Sequence, residues 1–412
     1  MTSGIATEQT EVTIERLGAQ GDGVAETATG PAYVPFALPG ERWRILPDAS
    51  PVRLTASPQR TTPPCRHFGT CGGCIAQHMA DDLYNAWKHG IVSQAFAHRG
   101  IDVVVAPLRR IPTASRRRAF FGVTHTDGGV TLGFREEGQH RLVDLAECVI
   151  LDPAIVAVMP ALRELVGFIL PRGGAAARLI VTRLDHGLDV ALETDARLPA
   201  DGLQHVARLA AAAGMLRLTI GAETIVPGAA PTLALGPAIV SPPPGIFLQA
   251  VPEAERVMTE LILGAIPKVK SVADLFCGLG TFTFALARRA RVIAADGDKR
   301  AVAALATAAK GAQGVKPIIT MVRDLFREPL AVREMDGIDA VVFDPPRAGA
   351  QAQAERLAKS KVKTVVAVSC NPATLARDAR ILIDGGYKLE SVTPIDQFVF
   401  SPHVEAVAVF RR

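Results

Sequence analysis

The stretch 366-VAVSCNPATLARD-378 ends a run of small apolar residues in a thiol, an amide and a proline. A buried strand accounts for Val365 to Val368 but not for Cys370, which by residue type is a small core residue, a metal ligand or a nucleophile. Two other segments place chemistry at the end of an apolar run. In 274-DLFCGLGTFTFALA-287, Gly278 and Gly280 allow a tight turn before a helix that begins near Thr281, and the next apolar run ends at Asp296, where an acid accepts hydrogen bonds from a ribose. The third glycine of a dinucleotide fingerprint is replaced by Thr283, so S-adenosylmethionine fits better than NAD, with glycines that serve packing alone as the competing reading. In 344-DPPRAG-349 two prolines stiffen a loop that presents Asp344, either to a substrate edge or merely to solvent. Three parallel strands ending in such loops are stronger evidence than any one of them.

A second group of candidates lies in 60-RTTPPCRHFGTCGGC-74, where Cys65, Cys71 and Cys74 have C-x5-C-x2-C spacing. Closing a metal site needs a fourth sulfur, and four thiolates fit a [4Fe–4S] cluster or structural zinc. Buried free thiols explain this loop poorly, because the glycines between close cysteines pack little. Cys277, beside the glycine turn, reads as a packing residue. Arg109, Arg110, Arg116, Arg117 and Arg118 form the densest basic group, suited to phosphates or to a solvated strand end. His67, Phe68, Phe120 and Phe121 are candidate stacking groups, with at least one of the two adjacent phenylalanines expected in the core.

The elements that position these residues follow from pattern. The chain has 412 residues, which predicts two or three domains. Residues 10–58 read as short strands broken by Gly, Pro and Asp, hence a small β-barrel, and its nearly cancelling charges give no electrostatic grip on RNA. Residues 80–100 have helical periodicity, 116–136 form a hairpin turning at Asp127-Gly128-Gly129, and 140–240 mix helices and strands. The linker 241-SPPPG-245 is the clearest boundary. Beyond it, apolar runs at 271–276, 291–296, 317–322, 338–344 and 363–369 alternate with helical segments, as in a doubly wound α/β domain, and 389–396 with 404–410 form an edge hairpin. A net charge of +4 permits a nucleic-acid partner without requiring one, and six cysteines in a long chain argue for metal or catalysis rather than a disulfide scaffold. The polar N-terminus, MTSGIATEQTEVTIE, lacks the pattern of a signal peptide, and no membrane span is expected, so a cytoplasmic protein is predicted.

Taken together, these residues resemble the RNA uracil-C5 methyltransferase family that carries an N-terminal TRAM domain and an iron–sulfur cluster. The resemblance rests on ERLGAQGDGVAE and YVPFALPGERW, PPCRHFGTCGGC, DLFCG-x-G-x-F, DPPR-x-G, SCNP-x-TLARD and the closing DQFVFSPHVE. It implies a class I methyltransferase domain at 246–412, preceded by a TRAM-like OB barrel at 1–60 and a central α+β iron–sulfur domain at 61–245 whose helix near 80–100 packs on the catalytic domain. It implies Cys370 as nucleophile, Glu405 as base and Asp344 as an orienting group, with His403 as runner-up base. The cofactor contacts it implies are Gln249, Phe276, Gly278, Gly280, Thr281, Asp296, Asp324 and Asp344. The family often has Asn where Thr281 and Val251 stand and Glu where Asp296 stands. The resemblance also makes Cys148, ahead of VILDP, the fourth cluster ligand, and favours iron–sulfur over zinc. The expected reaction is methylation of a uridine in 23S rRNA by a monomer, with the base flipped from its stack and no protein partner. The alternatives are the same reaction on tRNA, and a non-catalytic iron–sulfur RNA-binding protein or RNA chaperone.

Overall fold

The computed structural model describes residues 10–46, 49–174, 176–198, 202–225 and 229–412; most of the N-terminal segment read as lacking a signal peptide, residues 1–9, lies outside them. The first apolar–polar alternations form six short strands, β1 (Thr10–Thr13), β2 (Arg16–Leu17), β3 (Gly23–Thr27), β4 (Gly30–Val34), β5 (Arg42–Leu46) and β6 (Ala49–Thr55). They pair as two three-stranded antiparallel sheets, β1-β5-β6 and β2-β3-β4, around Val12, Ile14, Ala25, Val34, Ala37 and Trp43. A fully buried acid ties this unit together. The Glu41 carboxylate accepts from Leu38 N (3.0 Å), Trp43 Nε1 (2.9 Å), Ser57 N (3.2 Å) and Arg60 Nε (2.6 Å).

The central segment contains α1 (Asp81–Ala97), β7 (Arg118–Thr126), β8 (Gly129–Arg135), β9 (Leu142–Asp144), α2 (Pro153–Ile169), β10 (Ala177–Leu184), β11 (Gly187–Glu193), α3 (Gly202–Ala212), β12 (Met215–Ile220) and β13 (Glu223–Thr224). Its strands form one seven-stranded sheet, ordered β13-β12-β11-β10-β7-β8-β9. The β7–β8 hairpin turns at Asp127-Gly128, where the sequence placed it. Helices α2 and α3 cover this sheet through Leu162, Leu165, Val166 and Val206. Helix α1 packs elsewhere: Val92 and Phe96 share an apolar cluster with Phe343 and Val365 of the last segment.

After the hairpin of β14 (Leu233–Leu235) and β15 (Ala238–Val240) and helix α4 (Pro252–Ala265), apolar runs give β16 (Ser271–Leu275), β17 (Arg291–Asp296), β18 (Ile318–Val322), β19 (Ala340–Phe343), β20 (Thr364–Ser369), β21 (Lys388–Ile395) and β22 (Glu405–Arg411). The sheet order is β18-β17-β16-β19-β20-β22-β21. The first five strands are parallel, and β22 inserts antiparallel between β20 and the edge strand β21. Strand order reverses at β16, so the carboxyl ends of β16, β19 and β20 share a rim, the usual ligand position in open α/β sheets. Because β22 runs against β20, its first residue, Glu405, lies at that same rim. Among the described residues no helix is long and apolar enough to cross a membrane.

Burial by itself would raise the Glu41 pKa, but the Arg60 guanidinium and three N–H donors outweigh it and hold the carboxyl down at about 2, against an ordinary 4.5. Its folded-state pKa is depressed, so its contribution to stability is present above pH 4.5 and is lost as pH falls towards 2. Glu41→Ala leaves the Arg60 charge without its partner and should cost about 3–5 kcal/mol of local stability. Amide exchange across β1 to β6, compared with the wild-type chain, measures this.

Candidate active site

The glycine turn after β16 is required by local geometry. Phe276 and Gly278 have φ of 58° and 54°, and Gly280 has φ of 94°. A Cβ on Gly280 would lie 2.8 Å from Phe284 Cε2 and 3.0 Å from Leu305 Cδ1, and the positive φ would strain any other residue there. A phenylalanine at positive φ is strained, and such strain concentrates where a loop is shaped for a ligand. Asp296 braces the turn from the next strand: Oδ2 accepts from Gly278 N (2.9 Å) and Oδ1 from Asp298 N (2.7 Å). Thr283, at the position of the missing third glycine, donates its hydroxyl to Asp274 Oδ2 at 2.5 Å. Burial raises Asp274 to about 7.

Gln249, Phe276, Gly278, Thr281, Asp296 and Asp324 line one cavity of about 540 Å³, together with Asp344, Cys370, Gln397 and Glu405. At its floor two carboxyls are joined through two amides. Gln249 Nε2 donates to Asp344 Oδ2 (2.6 Å), and Gln397 Nε2 donates both to Gln249 Oε1 (3.0 Å) and to Glu405 Oε2 (2.9 Å). Glu405 Oε1 and Gln397 Oε1 are buried without a partner, an arrangement that persists only where something else supplies one. Burial raises the pKa of both acids. The Asp344 charge raises Glu405 further, against the opposing hydrogen bonds from Gln249 and Gln397.

Cys370 follows β20, and its loop is stitched to the neighbouring one. Asn371 Oδ1 caps helix α5 (Pro372–Asp384) by accepting from Ala373 N (3.2 Å), while its Nδ2 donates to Arg347 O (3.0 Å). Pro372 opens the helix, where its missing N–H costs nothing. Burial, and then the charges of Glu405 and Asp344, push the Cys370 thiol up to about 12; Arg347 opposes them.

Cys370 also borders a second cavity of about 710 Å³, whose wall carries Cys65, Cys71, Cys74 and Cys148. Gly72 lets the cysteine loop lie against the end of β8: its N–H donates to Arg135 O (2.9 Å), and a Cβ there would come within 3.1 Å of that oxygen. His67 anchors the loop by accepting from Ala146 N (3.1 Å), two residues before Cys148. Burial raises Cys71, Cys74 and Cys148, and each thiolate would raise the others. Among the described residues no three His, Cys, Asp or Glu side chains are close enough to form a ready metal site.

Comparison with known proteins gives this geometry its context. Residues 244–412 match the model of the tRNA (Uracil-5-)-methyltransferase family. An RNA methyltransferase of Brucella suis, itself described as uncharacterized, is 46% identical over 98% of each chain. The 23S rRNA (uracil(1939)-C(5))-methyltransferase RlmD of Chromohalobacter salexigens is 35% identical, covering 99% of this chain and 92% of its own. The chain belongs to the RNA (uracil-5-)-methyltransferase family. A solved Pyrococcus abyssi tRNA (uracil-54, C5)-methyltransferase, bound to S-adenosyl-L-homocysteine, superposes with a TM-score of 0.76 over 97% of this chain and 99% of its own, at 21% identity. That likeness establishes the class I methyltransferase fold.

Within this family member, the basic group 109–118 does not present one face to RNA. Arg117 is buried, pairs with Glu255 (2.5 Å) and donates to Gln249 O (2.9 Å), so it holds the irregular segment that delivers Gln249. Arg118 is buried over the Phe120 ring at 4.4 Å. Arg116 is half-buried, close enough to Cys148 and Cys74 to feel their charges. Arg110 reaches Asp81 and Asn85, which leaves Arg109 exposed. The physical reason is that Arg116 and Arg117 lead into β7, an inner strand that Arg118 opens, where backbone carbonyls and acids capture them. Phe120 is exposed and Phe121 is core, while Phe68 packs on Phe36 at 5.2 Å. His403 borders the cysteine-lined cavity and lies 3.5 Å from Arg347 Nη1, whereas Glu405 lines the cavity with Gln249. Sequence reasoning missed Gln397, Asp274, Tyr84 and Lys88. The first two stand inside quoted motifs, DQF and DLFCG, and that was their only signal.

The electrostatics make a direct prediction. Replacing either carboxyl by an amide removes a group that, once ionised, helps hold the Cys370 thiol protonated, and the thiolate fraction rises in proportion as the thiol becomes more acidic. Peptide-resolved iodoacetamide labelling at pH 8 should therefore be slow at Cys370 in the wild-type chain and several-fold faster in Asp344→Asn and in Glu405→Gln. Equal rates in all three would show that the acids do not govern the thiol.

Proposed function

We propose that this protein transfers a methyl group from S-adenosylmethionine to C5 of a uridine in 23S rRNA, through a covalent adduct between Cys370 and C6 of the base. The observation that carries the reading is the convergence of Cys370, Asp344 and Glu405 from three strands on the cavity that also holds the glycine turn. Uracil C5 is a weak nucleophile. Addition of the Cys370 thiolate at C6 makes C5 an enolate carbon, which takes the methyl group of the donor. Glu405 then removes the C5 proton, the C6–S bond breaks and the thiolate leaves. An elevated pKa suits Glu405 to that step, because it retains the proton it takes. Asp344 orients the base or the donor through Gln249. The sulfonium charge of the donor would supply a positive neighbour that favours the Cys370 thiolate. Phe276, Gly278, Gly280, Thr281, Asp296 and Asp324 form the nucleoside side of the site.

The domain reading has a TRAM-like barrel at 1–60, a central domain at 61–245 and the methyltransferase domain at 246–412. Cys65, Cys71, Cys74 and Cys148 would hold a [4Fe–4S] cluster. The donor set is chemically suited, since four thiols border one cavity, although among the described residues no three of them stand within reach of one ion. A bound cation would offset the mutual repulsion of the four thiolates. With all four positions filled by sulfur, the cluster's part is to shape the RNA-facing loop rather than to react. The enzyme would act in the cytoplasm, as a monomer, on a uridine flipped out of its stack. The rRNA target rests on the full-length likeness to the RlmD relative. A tRNA target is the second reading, favoured by what the Pyrococcus abyssi neighbour modifies.

Incubation with labelled S-adenosylmethionine and 5-fluorouridine-substituted 23S rRNA should give a denaturant-stable protein–RNA adduct, and Cys370→Ala should give none. An adduct in Cys370→Ala, or with substituted tRNA alone, rejects the nucleophile or the target respectively. Anaerobic purification should yield brown protein containing iron; colourless protein with stoichiometric zinc rejects the cluster.

A further inference from the structure

Lys88 is fully buried, yet it belongs to α1, well before the 244–412 segment that matches the family model. Its ammonium reaches one loop at three points. Nζ lies 2.9 Å from Asp396 Oδ1 and donates to Phe398 O (3.0 Å) and His403 O (2.6 Å). One helical turn earlier, the Tyr84 hydroxyl donates to Asp396 Oδ2 (2.7 Å) and accepts from Phe400 N (2.9 Å). Phe400 has φ of 61°, a conformation that a phenylalanine keeps only under external constraint. Ile75 N and Ala76 N, directly after Cys74, close the clamp by donating to Phe400 O at 2.8 and 3.2 Å. Between these anchors stands Gln397, whose amide holds Glu405 Oε2 and Gln249 Oε1.

A buried ammonium–carboxylate pair is seldom the most stable way to fill a core, since apolar residues of like volume pack as well without desolvating two charges. What such a pair does provide is a single register, because any shift of the loop strands a charge. Here the register it selects is that of the loop carrying Gln397. We propose that Lys88 and Tyr84 are positioning residues for proton removal from C5: they lock the 396–404 loop so that Gln397 aims the Glu405 carboxylate at the reacting carbon. This rests on Glu405 being the base. The catalytic step then depends on a helix contributed by the cysteine-bearing part of the chain.

The test uses the full-length protein, 23S rRNA transcript carrying uridine tritiated at C5, and S-adenosylmethionine labelled in its methyl group. Lys88→Met and Tyr84→Phe should slow tritium release by about 10–100-fold, with the donor's Kd changed by less than about twofold, while a methylated, denaturant-stable protein–RNA complex accumulates. A merely structural defect would lower adduct formation and release together. Tyr84→Phe preserves volume, which keeps the test open if Lys88→Met fails to fold. Glu405→Gln is the reference. If it traps no methylated complex, the base assignment fails. If it does trap one while Tyr84→Phe releases tritium at the wild-type rate, or loses adduct and release in parallel, the positioning role is overturned.

Discussion

The site depends on two carboxyls, Asp344 and Glu405, being kept together in a place where neither would ionise easily. The chain Asp344–Gln249–Gln397–Glu405 makes this tolerable, because each acid receives an amide N–H and the two amides fix each other's orientation. An amide can be read either way round, but here the acceptors at both ends leave one consistent arrangement. The segments that deliver these residues are themselves held by hydrogen bonds and pairing. Gln249 is held through its carbonyl by the buried Arg117–Glu255 pair. Glu405 is the first paired residue of β22, and Asp344 follows β19.

Burial, and then the charge these two acids carry once ionised, raises the Cys370 thiol as well. Cys370 lines the same cavity as both acids, and Arg347 opposes their effect only in part. The thiol also borders the second, cysteine-lined cavity. That shared border also joins the two halves of the molecule at the point where the chemistry would occur. Contacts from Ile75 and Ala76 to Phe400 carry the connection on the other side of the active loop. The cysteine segment and the methyltransferase sheet are therefore one mechanical unit around the 396–404 loop.

Much of this was legible in the residue order. Apolar runs bounded by turn residues gave the five parallel strands and the hairpin at β21–β22, and the rim loops at Gly278, Asp344 and Cys370 were visible as abrupt changes at strand ends. The arginines at 116–118 were not legible in the same way. A run of like charges looks solvated in one dimension, yet a strand that enters the middle of a sheet takes its charges inside, and there Arg117 and Arg118 became braces rather than phosphate contacts. Lys88 was equally hidden, because its partners lie more than three hundred residues away in the chain.

By itself, then, the sequence determined which chemistry was on offer: a thiol, two acids, a glycine turn and a cysteine loop, each tied to a local pattern that backbone geometry enforces. Only the tertiary structure decided which of these share a cavity, that two glutamines join the acids, and that a buried lysine from an early helix clamps the last active loop. The reason is physical. Local propensities act over a few residues, whereas desolvation and charge pairing are settled by whatever the whole fold brings within hydrogen-bonding distance.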